Sequence, residues 1–299
     1  MKEFKSGFVA VVGRTNVGKS TLLNALVGQK VSIVSDKPQT TRNNIRLIRT
    51  TERSQMVFID TPGFHKPKSK LGVFMVDAAG SSVKDVDLVL FLVEEDEKIG
   101  RGDAMLLEKL EHVEVPVILV INKIDKVPKE ELLGKIALFQ SYGFLTEIVP
   151  VSALRGENVD TLVETIEKYL PEGPKYFPED MVTDRAERFL VQEIIREKVL
   201  RLTEQEVPHG VAVEVMSMKE RPNGTLVDVD ANIYCERKSH KGILIGKGGA
   251  MLKKIGTLAR RDMEEMLGCQ VNLTLWVKVR DDWRDRPFDL RELGYTEKD

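Results

Sequence analysis

A two-part chain is predicted, an α/β domain on a mixed, mostly parallel sheet followed by a smaller α+β domain. Three observations lead there. From residue 8 to 170, short apolar runs alternate with longer amphipathic segments, the βαβ rhythm of a sheet covered by helices on both faces. Residues 171–183, PEGPKYFPEDMVT, hold three prolines and a glycine, and proline cannot continue the helix before it. Beyond that stretch the pattern reads helix, two strands, two helices and a strand. The boundaries drawn are therefore 1–170, a linker over 171–183, and 184–299.

In the first part the strands are FVAVV, QMVFID, DLVLFLV, PVILVIN and EIVPVS. An extra strand, IRLIRTT, pairs with QMVFID across a polar turn, so one sheet edge should be antiparallel. In the second part a helix is expected over roughly 184–206, strands over 211–219, 226–236 and 270–280, and two helices around a glycine cluster. The middle strand alternates cleanly. Val227, Val229, Ala231, Ile233 and Cys235 point one way and Asp228, Asp230, Asn232 and Tyr234 the other, which predicts one buried and one wet face.

Composition narrows the function classes. Forty-five Lys and Arg against 47 Asp and Glu give a net charge of −2, so no global basic field announces nucleic acid or membrane. Any such site must be a local patch. Cys235 and Cys269 are solitary and read as buried thiols, which suits a reducing cytoplasm. The N-terminus runs straight into a strand with no cleavable apolar leader, and no stretch approaches the ~18 apolar residues of a membrane span.

GRTNVGKS, residues 13–20, fits G-x-x-x-x-G-K-[ST] directly after a strand and before an amphipathic helix. The amides of Gly13, Arg14, Thr15, Asn16, Val17, Gly18, Lys19, Ser20 and Thr21 can then turn around phosphate oxygens, helped by the helix N-terminus. Lys19 should reach the β- and γ-phosphates and Ser20 should ligate Mg²⁺. DTPG comprises Asp60, Thr61, Pro62 and Gly63 and closes the strand QMVFID at the carboxyl edge of the sheet, where such folds bind ligands. Asp60 can hold the metal through water, and the Gly63 amide can sense the γ-phosphate. Between these loops the polar stretch SDKPQTTRNN reads as a mobile segment, in which Thr41 or Thr40 offers a hydroxyl to Mg²⁺.

NKID, residues 122–125, decides the base. The Asp125 carboxylate can accept hydrogen bonds from the ring NH and exocyclic amino group of guanine, whereas adenine presents an acceptor at the matching ring position. Leaving such buried groups unpaired costs a factor of about 10⁴ or more, so the nucleotide is GTP or GDP. The Lys123 stem can cover the base, and Asn122 can tie this loop to the phosphate loop. In VSALRG, Ser152, Ala153 and Leu154 follow the last strand, and the amides of Ser152 and Ala153 are expected where the guanine carbonyl would lie.

Where Ras-like sites carry a water-orienting glutamine, this chain has Phe64. Unassisted turnover is therefore expected at ~10⁻⁴ to 10⁻³ s⁻¹ or below. Arg42 is a candidate charge-stabilising finger, but an exposed arginine in that loop more often meets solvent or a partner.

Residues 237–261 contain eight Lys or Arg and no Asp or Glu, a local field suited to a polyanion. Within them GKGG, residues 246–249, resembles the GxxG loop with which KH domains clamp about four nucleotides. The candidate RNA contacts are Lys238, Lys241, Ile245, Gly246, Lys247, Gly248, Gly249 and Lys253. Tyr234 and Trp276 face outward and either stack on bases or pack locally. A signalling or membrane-associated switch whose second domain binds protein is the alternative to an RNA-binding factor, and salt dependence separates them.

Taken together, GRTNVGKSTLLNAL, QTTRN, DTPG, NKID and VSAL resemble the bacterial Era GTPases. The segment FPEDMVTDRAERFLVQEIIREKVL, followed by GKGG in its basic setting, separates that family from relatives with one or two GTPase domains. The resemblance implies a P-loop GTPase domain with a type II KH domain. It also implies a monomeric, cytoplasmic, Mg²⁺-dependent enzyme that hydrolyses GTP to GDP and phosphate. Its KH domain would bind the 3′ end of small-subunit ribosomal RNA and promote assembly of the small ribosomal subunit, with peripheral contact to the inner membrane in some members. By position, Thr41 rather than Thr40 matches the family's switch threonine. Asn16 matches the asparagine with which related GTPases hold a potassium ion beside the phosphates, so Lys19, Thr41, Asp60, Gly63 and Asn16 form the implied catalytic set.

Overall fold

The computed structural model describes residues 3–37, 39–63, 69–81, 85–95, 99–204, 207–222 and 224–295, and of 76–81 only the backbone. The chain forms two compact units. Of the described residues, the first takes in the chain up to Ser32, Thr41 to Gly63 and Met75 to Asp184, and the second takes in 33–40, 69–74 and everything from Arg185 on.

The first unit is built on β1 (Lys5–Gly13), β2 (Ile45–Thr50), β3 (Ser54–Asp60), β4 (Leu88–Val93), β5 (Val117–Ile121) and β6 (Leu145–Pro150). Their order in the sheet is β2-β3-β1-β4-β5-β6, with β2 antiparallel to β3 and the rest parallel. The expected antiparallel edge is present. Every residue of β4 and β5 is buried, as the continuous apolar runs LVLFLV and VILVI require of strands covered on both faces. The chain between and after these strands forms α1 (Lys19–Val27), α2 (Lys70–Ser81, whose residues 70–74 count with the second unit), α3 (Arg101–Leu110), α4 (Lys129–Gln140) and α5 (Val159–Tyr169). Leu106, Leu107 and Leu110 of α3 and Phe139 of α4 pack on Phe91, Leu119 and Ile121. Because β1, β3, β5 and β6 run in parallel, their carboxyl ends deliver Gly13, Asp60, Ile121 and Pro150 to one edge.

The proline-rich stretch 171–183 is laid along this unit. Ser6 donates its amide to the Pro171 carbonyl at 3.0 Å, and Ile48 to that of Val182 at 2.8 Å. The Gln55 side chain accepts the amides of Tyr176 (2.7 Å) and Phe177 (3.0 Å) and donates to the Phe177 carbonyl (2.8 Å). A buried side-chain amide thus supplies the backbone partners that a proline-broken segment cannot supply itself.

The second unit holds α6 (Glu187–Leu202), β7 (Ala212–Glu220), β8 (Leu226–Cys235), α7 (Lys238–Ile245), α8 (Ala250–Leu267), β9 (Gln270–Val279) and α9 (Pro287–Glu292). The order αββααβ is the expected one, and α9 is an addition. The sheet runs β7-β8-β9, antiparallel then parallel. Val227, Val229, Ala231, Ile233 and Cys235 line the core with Val191, Ile195, Ile255 and Met263. The opposite face is less wet than alternation predicts. Asn232 is only 1% exposed, because Glu214 and Trp276 stand beside it in register and its amide donates to the Tyr234 hydroxyl at 3.2 Å. Trp276 remains exposed, while the Tyr234 hydroxyl donates to Glu214 at 2.7 Å. Cys235 is buried, Cys269 is half-buried, and both are free thiols.

Within the second unit, α6 grips the polar stretch that precedes Thr41. The Val34 amide donates to Glu197 Oε1 at 3.0 Å, Arg201 Nε to the Val34 carbonyl at 3.0 Å, and the buried Arg196 guanidinium to the carbonyls of Gln39 and Thr40. Among the described residues no helix is long and apolar enough to cross a membrane.

Candidate functional site

The loop from Gly13 to Lys19 turns sharply after β1. Asn16 (φ 67°) and Gly18 (φ 96°) both occupy the left-handed region. Glycine suits position 18, because any other residue would be strained at this φ and its Cβ, 2.3 Å from Asn122 Nδ2, would force that amide to move. Lys19 opens α1 and donates from Nζ to the carbonyls of Gly13 (3.0 Å) and Arg14 (2.7 Å). Its burial pushes the ammonium pKa down to about 8, a cost that a phosphate anion beside it would relieve.

Three oxygens converge at the start of α1. Ser20 Oγ and Thr41 Oγ1 lie 3.1 Å apart, and both donate to Asp60 Oδ2, at 3.3 and 3.4 Å. Thr40 does not take part, since its hydroxyl donates to the Lys37 carbonyl at 2.6 Å. Asp60 is wholly buried, and burial raises its pKa to about 6 against the pull of the Ser32, Ser20 and Thr41 hydroxyls and the Lys19 ammonium. Its Oδ1 has no well-formed hydrogen bond among the described residues. An acidic, hydroxyl-lined cluster with an orphaned carboxylate oxygen is the donor set of a hard divalent cation.

Thr61 donates its hydroxyl to the Val11 carbonyl at 2.7 Å, which anchors DTPG beside β1. Pro62 is buried, and Gly63 abuts the phosphate loop so closely that a Cβ would lie 2.8 Å from Thr15 Cγ2. Phe64 lies outside the described residues.

The base-reading loop joins the others through Asn122, whose Nδ2 donates to the Val17 carbonyl (2.9 Å) and whose Oδ1 accepts the Ala153 amide (3.0 Å). Lys123 donates from Nζ to the Asn16 carbonyl at 2.8 Å. Asp125 accepts the Ser152 hydroxyl at 2.6 Å, and that bond, foremost, holds its carboxyl below the usual range.

Two expectations change here. The amides of Ser152 and Ala153 are not open to a guanine carbonyl, because Ser152 donates to the Glu157 carbonyl at 3.1 Å and Ala153 to Asn122. Ser152 instead steadies Asp125 with its hydroxyl, while Leu154 is 80% exposed. Arg42 is 1% exposed rather than a solvent-facing finger. Motif spacing carries neither point, since it encodes neither the Glu157 partner of the Ser152 amide nor the burial of Arg42. Two acidic residues that the motifs passed over also reach this site, Glu94 after β4 and Asp103 in α3. Glu94 pairs with Lys123, and Asp103 lies 3.0 Å from Arg14 Nε.

In the second unit GKGG forms the turn between α7 and α8. Gly246 (φ 73°) packs so tightly that a Cβ would lie 2.8 Å from the Met251 amide nitrogen, whereas a Cβ on Gly248 (φ 59°) or Gly249 (φ 82°) would meet open space. The turn therefore presents bare backbone outward. In the same stretch of sequence Lys238, Lys247 and Lys253 are exposed, as are Arg237, Lys254, Arg260 and Arg261, while Lys241 and Ile245 are half-buried.

Comparison with known proteins follows both units. Residues 8–123 match the family of 50S ribosome-binding GTPases, and 206–284 match the KH domain. GTPase Era of Alkaliphilus metalliredigens (strain QYMF) is 56% identical over 292 residues, covering 98% of this chain and 99% of that protein. GTPase Era of Clostridioides difficile (strain 630) is 56% identical over 296 residues, covering 99% and 100%. Among solved structures, Era in complex with MgGDPNP and nucleotides 1506–1542 of 16S ribosomal RNA superposes with a TM-score of 0.94 at 44% identity, over 98% of this chain and 100% of that one. A variant of Aquifex aeolicus Era bound to GDP·AlF4⁻ gives the same score, identity and coverage. With a P-loop GTPase unit and a KH unit matched end to end, the chain belongs to the Era family of GTPases.

Proposed function

We propose that this GTPase is a GTP-controlled RNA-binding factor that holds the 3′ end of small-subunit ribosomal RNA on its KH unit and assists small-subunit assembly. One observation carries the proposal: the GKGG turn offers bare backbone within a sequence stretch, 237–261, that carries exposed lysines and arginines and no acidic residue, in a chain with a net charge of −2. A sugar-phosphate backbone needs that combination of close approach and local positive field. The relative solved with nucleotides 1506–1542 of 16S ribosomal RNA supports the choice of RNA.

In the nucleotide site, Lys19 exchanges the two loop carbonyls for the β- and γ-phosphates, while the surrounding amides receive the remaining phosphate oxygens. Ser20, Thr41 and, through water, Asp60 are the residues that would hold Mg²⁺, which neutralises charge on the phosphate oxygens. The Gly63 amide senses the γ-phosphate beside Thr15. Asp125, held ionised by Ser152, accepts the two guanine donors, and the Lys123 stem covers the base. Asn16 lies exposed at the rim of the phosphate loop, where its side-chain oxygen suits a potassium ion. With Arg42 buried and no glutamine after DTPG, intrinsic turnover stays near ~10⁻⁴ to 10⁻³ s⁻¹ or below, as a timer rather than a metabolic step requires.

The test is binding of a single-stranded ribosomal RNA 3′-end fragment across a salt series, beside a variant carrying Lys247→Asp and Gly248→Asp. The unmutated chain should lose affinity by about 0.7 log units per log unit of salt for each phosphate contact. The variant should bind at least about tenfold more weakly with a shallower slope. No binding by the unmutated chain, or equal binding by both, overturns the proposal.

A further inference from the structure

Arg14 belongs to the phosphate loop, but its side chain reaches two carboxylates that lie outside the nucleotide motifs. Its Nε lies 3.0 Å from Asp103 Oδ1 and its Nη2 lies 3.7 Å from Glu94 Oε2. Glu94 also pairs with Lys123, whose Nζ returns to the Asn16 carbonyl at 2.8 Å. Arg14, Glu94, Lys123 and Asn16 therefore close a ring that fastens the phosphate loop to the base-reading loop at two points.

The ring is anchored. Lys135 of α4 donates from Nζ to the Glu94 carbonyl. Asp103 is 3% exposed, so its attraction to the guanidinium is poorly screened by water. Two glycines at the start of α3 leave room for the arginine: a Cβ at Gly100 would lie 2.9 Å from Arg14 Nη1, and one at Gly102 2.8 Å from Arg14 Cδ. A cation at a helix N-terminus opposes the helix dipole, and Asp103 in the first turn supplies the charge that keeps it there. The Arg14 carbonyl accepts Lys19 Nζ at 2.7 Å, so the backbone steadied by this side chain is the backbone that holds the phosphate-binding lysine.

We propose that Asp103 and Glu94 are positioning residues for nucleotide binding, which hold Arg14 and Lys123 so that the phosphate and base loops keep one spacing before the nucleotide arrives. Loops already in their bound arrangement do not have to be ordered on binding, and the saving appears in affinity. The inference rests on the assignment of the two loops. Guanine-nucleotide binding by the unmutated chain tests that assignment, and the variants test the inference alone.

Release of a fluorescent GDP analogue is followed by stopped flow, and GTP hydrolysis at steady state, for the full chain and for Asp103→Asn, Glu94→Gln and Asp103→Glu. The two amides should each release GDP about tenfold faster and raise the KM for GTP in step, with much smaller losses in kcat. Tenfold corresponds to about 1.4 kcal/mol. Asp103→Glu keeps the charge and should recover most of the loss. Release rates within twofold of the unmutated chain in both amide variants overturn the proposal, and so does a fall in kcat at constant KM. Melting of the nucleotide-free proteins identifies a variant that fails to fold. If Asp103→Asn does, Glu94→Gln decides, because its carboxylate is 21% exposed and its loss leaves less buried charge behind.

Discussion

Replacing Asp60 by asparagine should make the nucleotide-free protein more stable while removing its hydrolysis. The carboxyl has an ordinary pKa of 3.8 and a folded-state pKa of about 6, raised chiefly by burial. Because the folded value is the higher one, the native state takes up a proton more readily than the unfolded chain. Burial of this group therefore costs nothing well below pH 3.8, and the cost grows with pH until the folded value is passed. A difference of about two pKa units at 1.36 kcal/mol each amounts to about 3 kcal/mol near pH 7.5 and about half of that near pH 5. Asparagine fills the same space without the charge. Some of the gain is returned, since Lys19 loses the carboxylate that opposes its own depression, so the net is about 1–3 kcal/mol. Urea denaturation of the metal-free and nucleotide-free proteins at the two pH values measures this, and the advantage of the variant should shrink on acidification. With Mg²⁺ and GDP the order should reverse, because the cation compensates the carboxylate only where it is present. An asparagine variant less stable than the unmutated chain near pH 7.5 without ligands, or an advantage independent of pH, refutes the reasoning.

Other outcomes follow from single contacts. Ser152→Ala removes a 2.6 Å hydrogen bond to an ionised acceptor, worth about 1.5–3 kcal/mol, so fluorescent-GDP titration should show affinity about 10- to 100-fold weaker. Its acid limb should also move to higher pH, because that bond is the first cause of the low Asp125 pKa. Asn16→Ala should abolish potassium stimulation of single-turnover hydrolysis, and equal rates in potassium and sodium for the unmutated chain would remove the ion from the site. Trp283→Ala deletes a fully buried ring that stacks on Tyr295 at 5.8 Å and donates to the Gly210 carbonyl at 3.0 Å; denaturant melts should show a loss of about 3–5 kcal/mol.

The nucleotide loops were legible because each is a local device. A glycine spacing after a strand, an aspartate at a strand's carboxyl end and an Asn-Lys-x-Asp run each encode their geometry within a few residues, and the parallel order of the strands brings them to one edge. What escaped is decided by partners far along the chain. Ser152 was expected to offer its amide and offers its hydroxyl, since Glu157 had already claimed the amide. Asn232 alternates as a surface residue but is covered by neighbours from two other strands. The tail after Trp283 says nothing as a sequence, yet its last described residue, Tyr295, stacks on Trp283, the largest fully buried side chain among the described residues.

The same distinction explains where regulation is written. The residues that meet GTP are specified by short motifs, whereas the residues that set their readiness are not. Lys19 waits on two carbonyls, Asp60 is a buried carboxyl whose pKa burial raises, and the stretch before Thr41 is held by the Arg196 and Glu197 side chains of α6. Thr41, one residue beyond that stretch, stands with its hydroxyl 3.1 Å from Ser20, so the motif residue and the side chains that hold its neighbours are encoded in different parts of the chain.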